Sequence, residues 1–325
     1  CSRSRHARTG PLVPVPTLSP AQPNAKTAAS QTAASPTPES VLDRLDFTVM
    51  RRLDGLMQGD YRSLFRGGGL DFTDLRDYQP HDDIRHIDWN VTARMNTPFV
   101  RQYVEDRDLT AWFLLDRSAS MGFGGDPNKS QMLTDTVVAM ARLLTRGGNR
   151  VGAVLWNNLV QSVIEPRSGR QQVLRLAKHM LTPPIPSAEP TDLARLGHAA
   201  LSSIRRRSLI FVVSDFITKD GWERPLALLA RRHEVIALRI LDPAEIALPN
   251  VGLMVMQDAE TGEQLMVDTS DRGLRERFTA AALRREEHID QCARRAGMDL
   301  HTISTDDDLV RSIVAMAARR GQRRR

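Results

Sequence analysis

The chain has 325 residues, 41% of them hydrophobic and 26% charged, which is the balance of one or two globular domains. The formal net charge is +6, yet aromatic residues make up only 5% and arginines alternate with acids along predicted helices, so a nucleic-acid surface is not expected. No apolar run approaches the roughly 18 residues of a membrane span. The two cysteines, Cys1 and Cys292, exclude a disulfide framework and favour a reducing compartment. A first residue other than Met is expected of a fragment or a misplaced start.

The first 38 residues are rich in Pro, Ala, Ser and Thr. Such a segment cannot bury enough apolar surface to offset its conformational entropy, so we predict a disordered leader over 1–38. A region spanning 39–107 follows, beginning with a helix for which Ser40 is the predicted N-cap. Apolar residues recur there at helical spacing: Val41, Leu42, Leu45, Val49, Leu53 and Leu56. The rest of this region is polar, broken by glycines and dense in both charge signs, and it predicts loops and short strands, the last over Phe99–Val104.

Residues 108–320 alternate apolar, strand-sized runs with amphipathic helical stretches. The runs "LTAWFLL", "RSLIFVVSDF" and "HEVIALRIL" predict buried strands, and "RVGAVLWNN" with "LVQSVIE" predicts a hairpin. The pattern predicts an α/β fold: a doubly wound, mostly parallel sheet with helices on both faces, preceded by a small irregular helix/strand region. The last residues, 321–325, are predicted to be a solvated basic tail. Helices are expected over Lys129–Leu144, Gln171–Met180, Asp192–Ile204, Leu274–Ala296 and Leu309–Arg319.

Two of the predicted strands end in an acid: "FLLD" delivers Asp116 and "FVVSD" delivers Asp215. Ligands of doubly wound sheets bind beyond the carboxyl ends of the strands, so side chains from these ends are expected to converge. The set contains only oxygen ligands, which suit a hard divalent cation, Mg²⁺ above all. Asp116 is expected to be an exposed carboxylate. The candidate ligands are Asp116, Ser118, Ser120, Thr191 and Asp215.

This set resembles the metal-ion-dependent adhesion site of von Willebrand factor type A domains, with its D-x-S-x-S loop, a downstream Thr and a later Asp. The resemblance implies that Asp116, Ser118 and Ser120 form the first loop of the site. Thr191 would belong to the second loop and Asp215 to the third.

A segment before the predicted sheet, "LRDYQPHDDIRHIDWNVTAR", is similar to the signature of the family catalogued as domain of unknown function 58. His81 stands where that family usually has Gly. The resemblance runs from about Leu42 to the C-terminus and implies a cytoplasmic bacterial protein, often associated with a MoxR-type AAA+ ATPase. The matching residues are Arg76, Tyr78, Asp82, Arg85, Ile87, Asp88, Trp89, Ala93 and Arg94.

The charged signature admits two interpretations. One is a second metal site built from His81, Asp82, Asp83, His86 and Asp88. The other, which we favour, is a structural network in which Arg76, Arg85 and Arg94 pair the acids, because partnered charges in compact loops are commoner. Tyr78 and Trp89 would then be packing anchors.

An enzyme is the alternative hypothesis for the whole chain. An aspartyl phosphatase of the haloacid dehalogenase type also ends its first strand in a nucleophilic Asp, here Asp116, but its second Asp is replaced by Ser118. Lys129 and Ser130 have the order of a P-loop ending without its glycines, and no G-x-S-x-G elbow occurs. We therefore expect a non-enzymatic, Mg²⁺-dependent protein-interaction module, in which an acidic residue of the partner completes the metal site and an arginine-rich surface steers that partner.

Overall fold

The computed structural model describes residues 18–20, 36–56, 72–79, 82, 84, 87–95, 97–103, 109–125, 127–187, 189–258 and 262–323. The strands are β1 (Leu18–Pro20), β2 (Phe72–Asp77), β3 (Phe99–Tyr103), β4 (Thr110–Asp116), β5 (Arg150–Asn157), β6 (Leu159–Arg167), β7 (Leu209–Ser214), β8 (Glu234–Leu241), β9 (Leu253–Asp258), β10 (Gln264–Asp268) and β11 (Asp299–Ser304). The helices are α1 (Pro38–Leu45), α2 (Arg51–Leu56), α3 (Trp89–Met95), α4 (Lys129–Arg146), α5 (Arg170–Leu181), α6 (Leu193–Ser203), α7 (Glu223–Arg232), α8 (Arg272–Arg295) and α9 (Leu309–Arg323). A π-helical segment, Asp46–Met50, joins α1 to α2, and short 3-10 turns lie at Ala119–Gly122 and Pro243–Glu245.

The main sheet has six strands in the order β11-β8-β7-β4-β5-β6. All neighbours pair in parallel except β5 and β6, which form the predicted antiparallel hairpin. β5 and β6 follow β4 on one side of the sheet. The next strands, β7, β8 and β11, lie on the other side of β4. The order of the strands therefore reverses between β4 and β7, which is where open α/β sheets bind ligands.

Both faces of this sheet are covered, and β4 shows how the sequence achieves it. Successive side chains of a strand point to opposite faces. Phe113 and Leu115 pack with α4, α5 and α9 on one face, whereas Trp112 and Leu114 pack with α6, α7 and α8 on the other. Because both faces are buried, the strand is a continuous apolar run instead of an alternating one. The predicted fold class is confirmed.

The N-terminal helical segment belongs to the same hydrophobic core. Its buried residues Val41, Leu42, Leu45, Val49, Met50 and Leu53 join the cluster around Phe113. Exposed arginines of this segment also form ion pairs with the sheet domain: Arg44 with Asp135, and Arg52 with Asp308. Residues 39–56 are therefore packed into the domain predicted to begin at 108.

The start of this segment differs from the prediction. Thr37 is the N-cap, and its side chain accepts a hydrogen bond from the Ser40 backbone N–H while Ser40 Oγ accepts one from the Thr37 N–H. Ser40 therefore lies at the third helical position of a capping box and was wrongly predicted as the cap. Pro38 occupies the first turn, where the missing N–H of proline costs no helical hydrogen bond.

The structure describes two smaller sheets in addition to the main one. β2 pairs with β3, and β9 pairs antiparallel with both β1 and β10. The predicted disordered leader is thus too broad at Leu18–Pro20, which form β1. Residues 1–17 and 21–35 lie outside the described residues, and their disorder stays a prediction.

The C-terminal end is also more structured than predicted. α9 continues to Arg323, so most of the predicted tail 321–325 is helical. Arg320, just before it, is buried, and its Nε donates to Glu234 Oε1 at 2.6 Å. None of the described helices is both long and apolar enough to cross a bilayer.

Candidate metal centre

The first loop after β4 gathers three of the predicted ligands. Asp116 is the last residue of β4, and its Oδ1 accepts a hydrogen bond from the Ser118 N–H at 2.9 Å. The hydroxyl oxygens of Ser118 and Ser120 lie 3.0 Å apart. The tight turn Ala119–Gly122 brings them together, so the D-x-S-x-S spacing places a carboxylate and two hydroxyls at one point.

Asp116 is fully buried, with 0% of its surface exposed, which corrects the expectation of an exposed carboxylate. Its Oδ2 accepts a hydrogen bond from Ser214 Oγ at 2.6 Å. Burial, and next the Asp215 carboxylate, raise the pKa of Asp116 to about 6, although the bonds from Ser214 and Ser118 act in the opposite direction. Among the residues that the structure describes, the hydrogen-bond donors to this carboxylate are uncharged: the Ser118 backbone N–H and the Ser214 hydroxyl.

Asp215 follows β7 directly and reaches the same point. It is fully buried, its Oδ1 accepts the Ile217 N–H at 2.9 Å, and Ser120 hydrogen-bonds its side chain. The ends of β4 and β7 thus place Asp116, Ser120 and Asp215 close together, and their role as metal ligands stays a prediction.

Thr191 lies on the loop before α6 and is buried. Its carbonyl accepts hydrogen bonds from Thr218 Oγ1 at 2.8 Å and from the Lys219 N–H at 3.2 Å. These two donors belong to the loop that begins at Asp215. These hydrogen bonds connect the second predicted loop, which contains Thr191, to the third, which begins at Asp215.

Two charged residues of the site were missed at the sequence level. Lys129, the first residue of α4, is fully buried, and its Nζ donates to Asp215 Oδ2 at 2.7 Å and to Glu245 Oε1 at 2.5 Å. Burial opposes the charged form of Asp215, but the Lys129 ammonium more than offsets it and lowers the pKa of Asp215. For Glu245, burial is the largest influence and the pKa is raised.

Lys129 opens a helix that is buried over most of its length in the structure, and its own burial could not be seen in the sequence. A lysine at such a position requires a buried partner. The sequence does not say which acid that partner is.

The charged signature region is only partly described. Asp88 is buried and is the N-cap of α3, because its Oδ1 accepts a hydrogen bond from the Val91 N–H at 3.3 Å. Asp82 Oδ2 accepts the Gln79 N–H at 2.9 Å. Trp89 is 69% exposed, so its prediction as a packing anchor is wrong within this chain, whereas Tyr78 is half-buried.

The two interpretations of that region remain predictions. His81, Asp83, Arg85 and His86 lie outside the described residues, as does the side chain of Arg76. Arg94 is described and is exposed.

The donor chemistry of the first loop fits a hard divalent cation. Asp116, Ser118 and Ser120 supply oxygen atoms only, and burial together with the neighbouring Asp215 carboxylate raises the pKa of the Asp116 carboxyl. Within the described part of the chain, no three His, Cys, Asp or Glu side chains form a metal-binding group. A cation at this point would therefore depend on hydroxyl oxygens as well as carboxylates.

A sheet of this strand order, with these loops at the reversal between β4 and β7, makes this a doubly wound α/β domain, the fold that the resemblance to von Willebrand factor type A domains implied. The chain belongs to the family described as "Protein of unknown function DUF58", whose model matches residues 74–288. The "Uncharacterized protein Rv1480" of Mycobacterium tuberculosis is 37% identical over 283 residues, which cover 86% of this chain and 89% of that relative.

Solved structures resemble the fold at low sequence identity. The conserved hypothetical protein BatB from Bacteroides thetaiotaomicron has a TM-score of 0.41 at 13% identity, covering 66% of this chain and 99% of that chain. The VWA domain of SpRpn10 has a TM-score of 0.35 at 14% identity, covering 64% of this chain and 94% of that chain.

Proposed function

We propose that this protein is a Mg²⁺-dependent protein-interaction module without enzymatic activity. The observation that carries the proposal is the buried Asp116 carboxylate, which lies beside the hydroxyls of the first loop and whose hydrogen-bond donors, within the described part of the chain, are uncharged. An uncompensated buried carboxylate is costly and is relieved by a cation. The residues that would hold the metal are Asp116, Ser118, Ser120, Thr191 and Asp215.

The bound cation would supply positive charge for an anion from outside. Hydroxyl ligands contribute no charge, and Asp215 already has the Lys129 ammonium as its partner. A carboxylate of a partner protein is therefore favoured to complete the coordination. This is the chemical basis for binding an acidic surface.

We further propose a MoxR-type AAA+ ATPase as the partner and the bacterial cytoplasm as the location. Both come from the family resemblance. Steering of this partner by an arginine-rich surface is part of the proposal. The cluster Arg205–Arg207 with Arg231 and Arg232 lies at the amino end of β7 and the end of α7, at the opposite end of the strand from Asp215.

The test is the affinity for a MoxR-type ATPase encoded beside this protein, measured with Mg²⁺ and with excess EDTA. We expect binding to weaken with EDTA and in Thr191→Ala, while Thr191→Ser, which keeps the hydroxyl, stays close to the wild type. Equal affinities in Mg²⁺ and EDTA would contradict a metal-bridged interface. Absence of binding under both conditions would exclude this ATPase as the partner.

The phosphatase hypothesis is disfavoured by one residue. An aspartyl phosphatase of the haloacid dehalogenase type has a second Asp as its acid/base two residues after the nucleophile, and Ser118 occupies that position here. The test is hydrolysis of para-nitrophenyl phosphate in Mg²⁺. Turnover that disappears in Asp116→Asn would favour the enzyme over the interaction module.

A further inference from the structure

Lys129 connects three loops at the carboxyl end of the sheet. Its backbone N–H donates to the Phe123 carbonyl at 3.1 Å, in the segment that follows the first loop. Its Nζ reaches Asp215 after β7 and Glu245 after β8, at 2.7 and 2.5 Å. The Phe123 ring also covers the ammonium, with the nitrogen 5.6 Å from the ring centre. The side chain is completely enclosed.

The two acids of the predicted metal site are therefore electrostatically different. Asp215 has a full positive charge bonded to one oxygen and a backbone N–H bonded to the other. Asp116 has a hydroxyl and a backbone N–H. A buried ammonium strongly reduces the pull of its carboxylate on any second cation, because charges interact strongly where water is excluded.

Other charges around the pair do not replace Lys129. Arg239 is also buried, but its Nε donates to the backbone carbonyl of Asp215 at 3.0 Å and its guanidinium pairs with Glu286. Arg285 donates to the Glu245 carbonyl at 3.0 Å. Neither guanidinium contacts the Asp215 carboxylate in the described hydrogen bonds.

We propose that Lys129 is a resident counter-cation that sets the strength of the metal site. Its ammonium compensates the negative charge of Asp215. The bound metal would then be neutralised mainly by Asp116, and it would keep positive charge for an anionic group of a partner. Glu245 opposes it by sharing the ammonium. This inference rests on the proposed function, because it assumes that the cation binds at Asp116.

The proposal gives two variants with opposite expected effects. Lys129→Met removes the ammonium at similar volume, frees Asp215 for the metal and should raise Mg²⁺ affinity about tenfold. Glu245→Gln keeps a hydrogen-bond acceptor, leaves the ammonium to Asp215 alone and should lower the affinity by about tenfold. Lys178→Met, which removes an exposed lysine of α5, is the control.

The measurement is calorimetric titration of the full chain with MgCl₂, accompanied by thermal denaturation in EDTA. A purely structural role for Lys129 predicts weaker Mg²⁺ binding in both variants, because both would loosen the site. Shifts in the same direction, or none, would therefore overturn the proposal. Lys129→Met should also melt at a lower temperature in EDTA and recover with Mg²⁺.

The two proposals fail in different ways. One outcome is that the wild type binds Mg²⁺ and the Mg²⁺ affinities of the two variants change in opposite directions while no acidic partner binds. That result would support the role of Lys129 and contradict the interaction module. If the wild type does not bind Mg²⁺, both fall. Should Lys129→Met not fold even in Mg²⁺, Glu245→Gln still decides the sign, since unchanged or tighter Mg²⁺ binding in that variant contradicts the proposal.

Discussion

Ser214 Oγ donates a hydrogen bond to Asp116 Oδ2 at 2.6 Å and accepts one from the Phe216 N–H at 2.9 Å. The hydroxyl therefore links the last residue of β4 to the turn after β7. Phe216 has a φ of 58°, a left-handed conformation that is unfavourable for a bulky residue and must be held by its surroundings. One serine thus supports both the carboxylate and the turn that carries Asp215.

Ser214→Ala should lower the free energy of unfolding by about 1–3 kcal/mol, because it leaves buried groups without their hydrogen-bond partner. It should also raise the pKa of Asp116 further, since the Ser214 bond favours the ionised form. Urea denaturation in EDTA measures the first effect. Ser214→Thr keeps the hydroxyl and is the matched control. Equal stability of Ser214→Ala and the wild type would show that the bond contributes little.

The effect of Asp116→Asn on the stability of the protein should change sign when Mg²⁺ is added. Without metal, we expect the variant to be more stable than the wild type by about 1–3 kcal/mol at neutral pH, because it removes a buried charge. With Mg²⁺, the wild type gains binding energy and the variant does not. Melting temperatures in EDTA and in Mg²⁺ check both statements. Asp290→Asn, a change at a half-exposed ion pair with Arg294 on α8, controls for loss of a charge.

The metal-free protein should lose stability as the pH rises from about 4 to about 6. The folded state raises the pKa of Asp116 from 3.8 to about 6, so the folded state binds more protons than the unfolded state in that window. Stability then falls with increasing pH. The Asp116→Asn variant lacks this contribution. The difference between the two unfolding free energies, followed by urea denaturation in EDTA across the window, should change by about 2–3 kcal/mol. A pH-independent difference would contradict the assignment.

The N-terminal helical segment should be essential for the stability of the sheet domain. Leu53 is fully buried in the main core, and Leu53→Ala should cost about 2–5 kcal/mol. Phe47 lies on the same segment but is 65% exposed, so Phe47→Ala should cost well under half as much. Comparable losses from the two variants would mean that the segment does not dock as described.

Deleting residues 1–35 should leave the melting temperature nearly unchanged, because their composition predicts little burial. Thermal denaturation of the shortened and full chains makes the comparison. A large decrease would show that the leader, including the short strand Leu18–Pro20, contributes to the fold.

The sequence by itself determined the sheet and the first loop of the site. A buried parallel strand must be apolar on both faces, so the runs that end at Asp116 and Ser214 are visible without a structure. The D-x-S-x-S spacing is equally local, because a single tight turn brings Ser118 and Ser120 to the end of β4. The rule that ligands bind where the strand order reverses then relates Asp116 to Asp215.

Only the tertiary structure decided how the charges of the site are compensated. Lys129 is separated from Asp215 by 86 residues and from Glu245 by 116, and no periodicity pairs residues so far apart. The partner of a buried charge depends on which strand ends become neighbours and where the connecting loops cross. The same reason explains why Trp89 is exposed and the N-terminal helical segment is buried in the core: burial follows from which surfaces meet, and a local pattern shows only that a surface is apolar.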